Sequence, residues 1–191
     1  MNEIKIALLG LGTVGCGVAR ILQSHGAELA ERAGCALALG RVADADLTRS
    51  REGIDLSRLP LTTDAAQAID DPSVQIVIEL IGGLEPARTF ILRALQAGKH
   101  VVTANKALLA HHGTELFEEA RRNRVMLGFE AAVAGGIPLI RAVKDGLVAN
   151  RVRSAFGIVN GTCNYILSKM TDEGRDFAEV LKTLRAALGI R

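Results

Sequence analysis

Aromatic side chains are scarce in this sequence: five Phe, one Tyr and no Trp in 191 residues. That speaks against single-stranded nucleic-acid binding, which relies on stacked aromatic platforms. The formal net charge is only +2, and no basic run is long enough to grip a phosphate backbone. Cysteines number three, and Cys16, Cys35 and Cys163 are widely spaced. An odd count without paired spacing excludes a zinc knuckle and points to a reducing, cytoplasmic compartment. The N-terminal apolar run "IKIALLG" is too short for a signal peptide or a membrane span. No membrane and no nucleic-acid partner is expected.

What is present is an ordinary core composition. Hydrophobic residues make up 49% and charged residues 23%, enough for one large domain, or one domain and part of another. "IKIALLG", "CALALGRVADAD", "VQIVIELIGG", "KHVVTAN" and "VMLGFEAA" read as strands. "TVGCGVARILQSHGAELAERA" reads as a helix broken near Gly26. "PARTFILRALQAG" is a helix with Pro86 at its start and Gly98 at its end, and "GTELFEEARRNR" is another. Such alternation predicts an α/β fold, a Rossmann-type doubly wound parallel sheet with ligands at the carboxyl ends of its strands.

After Val133 the rhythm changes. "GGIPLIRAVKDGLVAN" reads as a helix opened by Pro138, "RVRSAFGIVNG" as a strand, and "TCNYILSKMTDEG" and "DFAEVLKTLRAALG" as two helices. The division expected is a cofactor-binding domain over 1–133 and the start of a second α/β domain over 134–191.

The motif "GLGTVG" follows a strand and opens a helix. Gly10 allows the tight turn, Gly12 lets the backbone approach a pyrophosphate, and Gly15 lets the helix pack on the strand. The free amides at Thr13 and Val14 would face the negative charge. The bland reading is a tight turn without a ligand. At the end of the second strand Asp44 and Asp46 suit ribose hydroxyls, while Arg49 and Arg51 suit a 2′-phosphate. Use of both NAD and NADP stands there beside a solvated charged turn. Gly82 and Gly83 leave room for a nicotinamide, or simply end a strand.

"TANKALLA" places Thr103, Asn105 and Lys106 where a strand meets the crevice. A lysine tuned by burial can move a proton or steady an alkoxide during hydride transfer. A lysine that merely snorkels to the surface is the rival. In "FEAAVAGGIPLI", Glu130 and inward-turned carbonyls suit a hard cation, or the loop is a plain hinge. In "GIVNGTCNYIL", Asn160 and Thr162 suit helix caps, and Gly161 suits close approach to a cofactor.

Taken in order, "GLGTVG", "ELIGG…PA", "TANKALLA", "FEAAVAGGIPLI" and "GIVNGTCNYIL" closely resemble the homoserine dehydrogenase family over essentially the whole chain. The resemblance implies NAD- or NADP-dependent interconversion of L-homoserine and L-aspartate 4-semialdehyde, on the route to threonine, methionine and isoleucine. It implies that Gly10, Gly12, Thr13, Val14 and Gly15 hold the pyrophosphate. Gly161 lines the cofactor, beside Asp44 and Gly82 of the residue reading above, and Thr103 and Lys106 meet the nicotinamide and substrate, with Lys106 catalytic. It also implies a sodium ion on Glu130, Val133, Gly135 and Ile137, and a homo-oligomer. Ala45 stands where many members carry an arginine suited to NADPH. The family continues into a Gly-Tyr-Ala-Glu-like segment and a helix bearing Asp and a second catalytic Lys. This sequence stops at Leu188–Arg191, where that segment would begin. The expectation is a truncated member with its cofactor fold kept and weak or no turnover. The start at Met1 argues against an aspartate kinase fused upstream. A non-catalytic NAD(P) sensor or scaffold is the alternative.

Overall fold

A computed structural model describes residues 2–51, 53–158 and 160–187. The chain divides into two units, residues 1–140 and 141–191.

The first unit is built on a six-stranded parallel sheet. Its strands are β1 (Glu3–Leu9), β2 (Ala36–Ala43), β3 (Leu61–Thr62), β4 (Val74–Glu79), β5 (His100–Thr103) and β6 (Leu127–Gly128). They lie in the order β3-β2-β1-β4-β5-β6, and every pairing is parallel. Parallel strands need crossovers, which here are mostly helical: α1 (Thr13–Ser24), α2 (Gly26–Ala33), α3 (Ala65–Asp70), α4 (Ala87–Gln96) and α5 (Lys106–Arg122).

Both faces of the sheet are covered, so its central strands are apolar on both sides. Along β1 the alternation sorts neighbours into two cores. Ala7 and Leu9 join the cluster with Ile69 of α3, Ile91 and Leu95 of α4, and Leu108 and Leu116 of α5. Leu8 joins Ala19 of α1, Val42 and Leu59 on the other face. Each fully buried leucine side chain contributes about 2 kcal/mol of transfer free energy. The chain thus winds first over one face and then over the other. The switch falls between β1 and β4, at whose carboxyl ends such sheets open a crevice.

The break expected near Gly26 is present, with His25 between α1 and α2. Three features differ from the sequence reading. Helix α5 starts at Lys106 rather than Gly113, because the Asn105 side chain accepts from the Leu108 N–H and caps it. Strand β3 and helix α3 are additional elements. Their run is short, but Asp64 caps α3 by accepting from the Gln67 N–H.

The short α6 (Leu139–Arg141) begins at the end of the first unit and passes into a π-helical turn at Ala142–Gly146 of the second, not one long helix. Two helices follow, α7 (Gly161–Glu173) and α8 (Phe177–Ala187), with Ile166 and Val180 buried. The strand expected over 151–161 does not form among the described residues. An extended segment becomes a strand only by pairing its backbone groups, and the second unit offers no partner among its described residues. Val159 of that stretch, and the expected helix end and chain stop at Leu188–Arg191, lie outside the described residues.

Candidate functional site

The turn after β1 is shaped by its glycines. Gly10 has φ of +96°, and a Cβ there would sit 2.8 Å from the Leu80 carbonyl oxygen. A Cβ on Gly15 would lie 1.9 Å from the Gly10 oxygen, so only glycine lets α1 approach the strand so closely. Gly12 differs: a Cβ there would meet nothing within 4 Å. The space above it is open, on the side where a ligand would approach. Gly12 is also the N-cap of α1, and no side chain caps that helix end. Its first-turn amides, with Thr13 and Val14 exposed, are therefore available to an anion, and the helix dipole favours negative charge there.

A cleft of about 720 Å³ opens beside this turn at the carboxyl ends of β1 to β4. Gly10, Gly12, Asp44, Ala45, Asp64 and Phe90 are among its walls. A smaller hollow of about 190 Å³ brings Val14 together with Gly82, Ala104 and Asn105. The two cavities flank the glycine turn, as the two ends of a dinucleotide would require.

Asp44 ends β2. Its Oδ2 accepts the Leu11 N–H at 2.5 Å, and its Oδ1 lies 3.1 Å from Nη2 of Arg51. Asp46 turns back on its own loop, accepting from the Thr48 hydroxyl at 2.7 Å. That hydrogen bond holds its carboxyl below the usual carboxylate range. Arg51 is almost fully enclosed, so of the two arginines once read as partners for a 2′-phosphate, only Arg49 is exposed.

Beneath the smaller hollow lies a buried polar network. Glu79 is fully buried at the end of β4. Its Oε1 accepts from Ile81 N–H at 2.8 Å and Gly82 N–H at 3.1 Å. Its Oε2 accepts from the Thr103 hydroxyl at 2.6 Å. Thr103 Oγ1 in turn accepts from Asn105 N–H at 3.0 Å, and Asn105 Nδ2 donates to the Gly83 carbonyl at 2.6 Å. This network ties the glycine pair after β4 to the start of α5. Sequence reasoning missed Glu79; its one signal was an acidic residue closing an otherwise apolar strand.

Two expectations change in detail. Thr103 is fully buried, so its hydroxyl braces the loop and does not line a cavity. Lys106 is the first residue of α5 and is exposed, because a residue beside the cap projects from the helix end. The burial invoked to tune its amine is absent within this unit. Gly82, at φ of +80°, is exposed and frames the hollow. Gly161 opens α7 in the second unit, where the Asn160 side chain caps the helix by accepting from the Cys163 N–H.

Glu130 opens a 3-10 turn, and its Oε1 accepts from Ile140 N–H at 2.9 Å. That bond closes the loop holding Val133, Gly135 and Ile137. Ala134 and Gly135 both take positive φ, at 56° and 60°, which bends the loop sharply. A carboxylate with backbone carbonyls is an all-oxygen donor set, suited to a hard cation. The Ile137 carbonyl already accepts from Leu139 N–H at 2.8 Å. No group of three or more His, Cys, Asp or Glu side chains that could hold a metal occurs among the described residues.

Comparison with known proteins follows the same lines. The family model described as "Homoserine dehydrogenase, NAD binding domain" matches residues 10–130, and the one described as "Homoserine dehydrogenase" matches residues 138–190. The homoserine dehydrogenase of Bacillus subtilis is 48% identical over 182 residues, covering 95% of this chain and 42% of the relative. That of Synechocystis is 50% identical over 179 residues, covering 93% and 40%. A solved homoserine dehydrogenase from Thiobacillus denitrificans superposes with a TM-score of 0.88 at 48% identity, over 98% of this chain and 43% of the other. One from S. aureus gives 0.80 at 37%, over 98% and 44%. The chain therefore spans less than half the length of these relatives.

Proposed function

The chain belongs to the homoserine dehydrogenase family, and we propose that it binds NAD or NADP and contributes a catalytic lysine to the interconversion of L-homoserine and L-aspartate 4-semialdehyde. One observation carries the reading: the uncapped start of α1, reached through a glycine turn whose middle glycine faces open space. The pyrophosphate rests on the Thr13 and Val14 amides, with Gly10, Gly12 and Gly15 giving it room. The adenosine end occupies the larger cleft, where Asp44 accepts from its ribose. The nicotinamide end takes the hollow framed by Val14 and Gly82.

The bound cofactor supplies the hydride acceptor for the alcohol, or the donor for the aldehyde. The protein must handle the accompanying proton. Lys106, held at the head of α5 by the Asn105 cap, steadies the developing alkoxide and passes the proton. Thr103 acts from below, by fixing the loop. Glu130 with the carbonyls of Val133, Gly135 and Ile137 would hold sodium, whose part is to stiffen this loop. Exposed apolar side chains in the second unit, such as Phe156 at 95% and Val148 at 78%, support a homo-oligomer. The three free cysteines support a cytoplasmic setting. No helix among the described residues is long and apolar enough to cross a membrane.

The test separates binding from chemistry. Lys106→Met should weaken NADH binding by this chain no more than about threefold. When the chain is completed in cis with the remaining C-terminal part of the Bacillus subtilis relative, the same change should cut homoserine-dependent NAD(P) reduction by at least about 100-fold. Equal turnover with and without the lysine would remove Lys106 from the chemistry.

A further inference from the structure

The glycine turn has a weakness. Two of its three consecutive residues are glycines, which leave nothing local to hold its shape and lose the most freedom on ordering. The residue between them, Leu11, is held from a distance. Its N–H donates to Asp44 Oδ2 at 2.5 Å, 33 residues away, and its carbonyl accepts from Arg51 Nε at 2.8 Å, 40 residues away. The Cys16 thiol donates to the same carbonyl at 3.2 Å. Arg51 and Asp44 also meet each other, at 3.1 Å. The other guanidinium contacts run to backbone: Nη1 to the Arg49 carbonyl at 2.9 Å and Nη2 to the Asp46 carbonyl at 2.6 Å. Every nitrogen of that guanidinium thus has a partner, and its side chain is only 4% exposed.

We infer that Asp44 and Arg51 form a latch that fixes the pyrophosphate turn in its binding shape, so that Arg51 is a positioning residue for NAD(P) and not a ligand of the 2′-phosphate. This rests on the cofactor-binding reading above. The latch grips both polar groups of one peptide residue from the loop that borders the ribose. A turn ordered in advance binds more tightly, because the ordering cost is met on folding. Arginine suits the task because its planar fork bonds several acceptors at fixed angles, which a lysine ammonium does not. Both ends of the cofactor are thereby coupled: the loop that would select between NAD and NADP also shapes the seat of the pyrophosphate.

The two roles for Arg51 predict different patterns. A 2′-phosphate ligand, once removed, weakens NADPH alone. A latch, once removed, weakens NADH and NADPH by the same factor. Titration calorimetry of this chain with NADH and NADPH, well below each variant's melting temperature, tells them apart. Arg51→Met and Arg51→Lys should each weaken both dinucleotides about tenfold. A residue that merely supported the fold would lower the melting temperature and leave the affinity of the folded protein where it was. Loss of NADPH binding alone, or unchanged affinity for both, overturns the latch. Should Arg51→Met not fold, Arg51→Gln answers the same question, since it keeps a donor for the Leu11 carbonyl and removes the charged fork that meets Asp44 and the Asp46 and Arg49 carbonyls. It should weaken NADH about threefold, and an unchanged value overturns the latch. A wild-type chain that binds neither dinucleotide would remove the cofactor reading itself and the latch with it.

Discussion

At the scale of single residues, the glycine turn shows how much can be read locally. Gly10, Gly12 and Gly15 serve three different physical needs, and all were legible because the motif is contiguous. The needs are a positive φ, an open approach and a close helix contact. Gly15→Ala tests the third most sharply, since the added Cβ would fall inside contact distance of the Gly10 carbonyl. Moving α1 away to relieve that clash should cost about 2 kcal/mol of stability and displace the Thr13 and Val14 amides. Urea unfolding together with NADH titration should show both losses; full affinity would mean that the close contact is not needed for the seat. Arg51 shows the opposite case. Its sequence position beside Asp44 suggested phosphate recognition. Its role depends on Leu11, 40 residues back, a relation that no local pattern encodes. Lys106 reads in the sequence as a residue at the crevice; the structure places it, exposed, at the first position of α5, and that exposure was not legible, because it depends on where α5 begins.

Among the elements, the cap at Asn105 decides that beginning. The sequence reading placed a helix over "GTELFEEARRNR", from Gly113. The structure begins it at Lys106 because Asn105 satisfies the Leu108 N–H and is itself held by Thr103 and Gly83. Glu79 anchors this chain of bonds from the neighbouring strand. Removing it leaves the buried Thr103 hydroxyl and the part-buried N–H groups of Ile81 and Gly82 without this partner. Glu79→Ala should therefore destabilise the first unit by about 3 kcal/mol, read from urea unfolding, and loosen the start of α5, read as faster amide exchange at Leu108. A loss below about 1 kcal/mol would show that the network is not structural. Such a network eludes sequence reading because a lone acid in an apolar strand has no periodic signature.

For the whole molecule, strand–helix alternation was enough to assign the parallel, doubly wound sheet, because each long strand carried its own apolar run. The short strand β3, two residues long, carries no such signal and exists because β2 offers backbone groups to pair, whereas β6 forms inside the run "VMLGFEAA" but over two residues only. The same rule explains why no strand forms over the described residues of 151–161: propensity was there, a partner among the described residues was not. The sheet order then fixes the site, since reversing the winding direction between β1 and β4 opens the crevice into which the glycine turn faces. The central claim is that a dinucleotide sits with its pyrophosphate on the start of α1. Nuclear magnetic resonance of the isotope-labelled chain, titrated with NADH, tests it residue by residue. The account predicts that the amide signals of Gly12, Thr13 and Val14 shift and saturate together; a folded chain in which those three signals stay still while NADH is added to excess would contradict it.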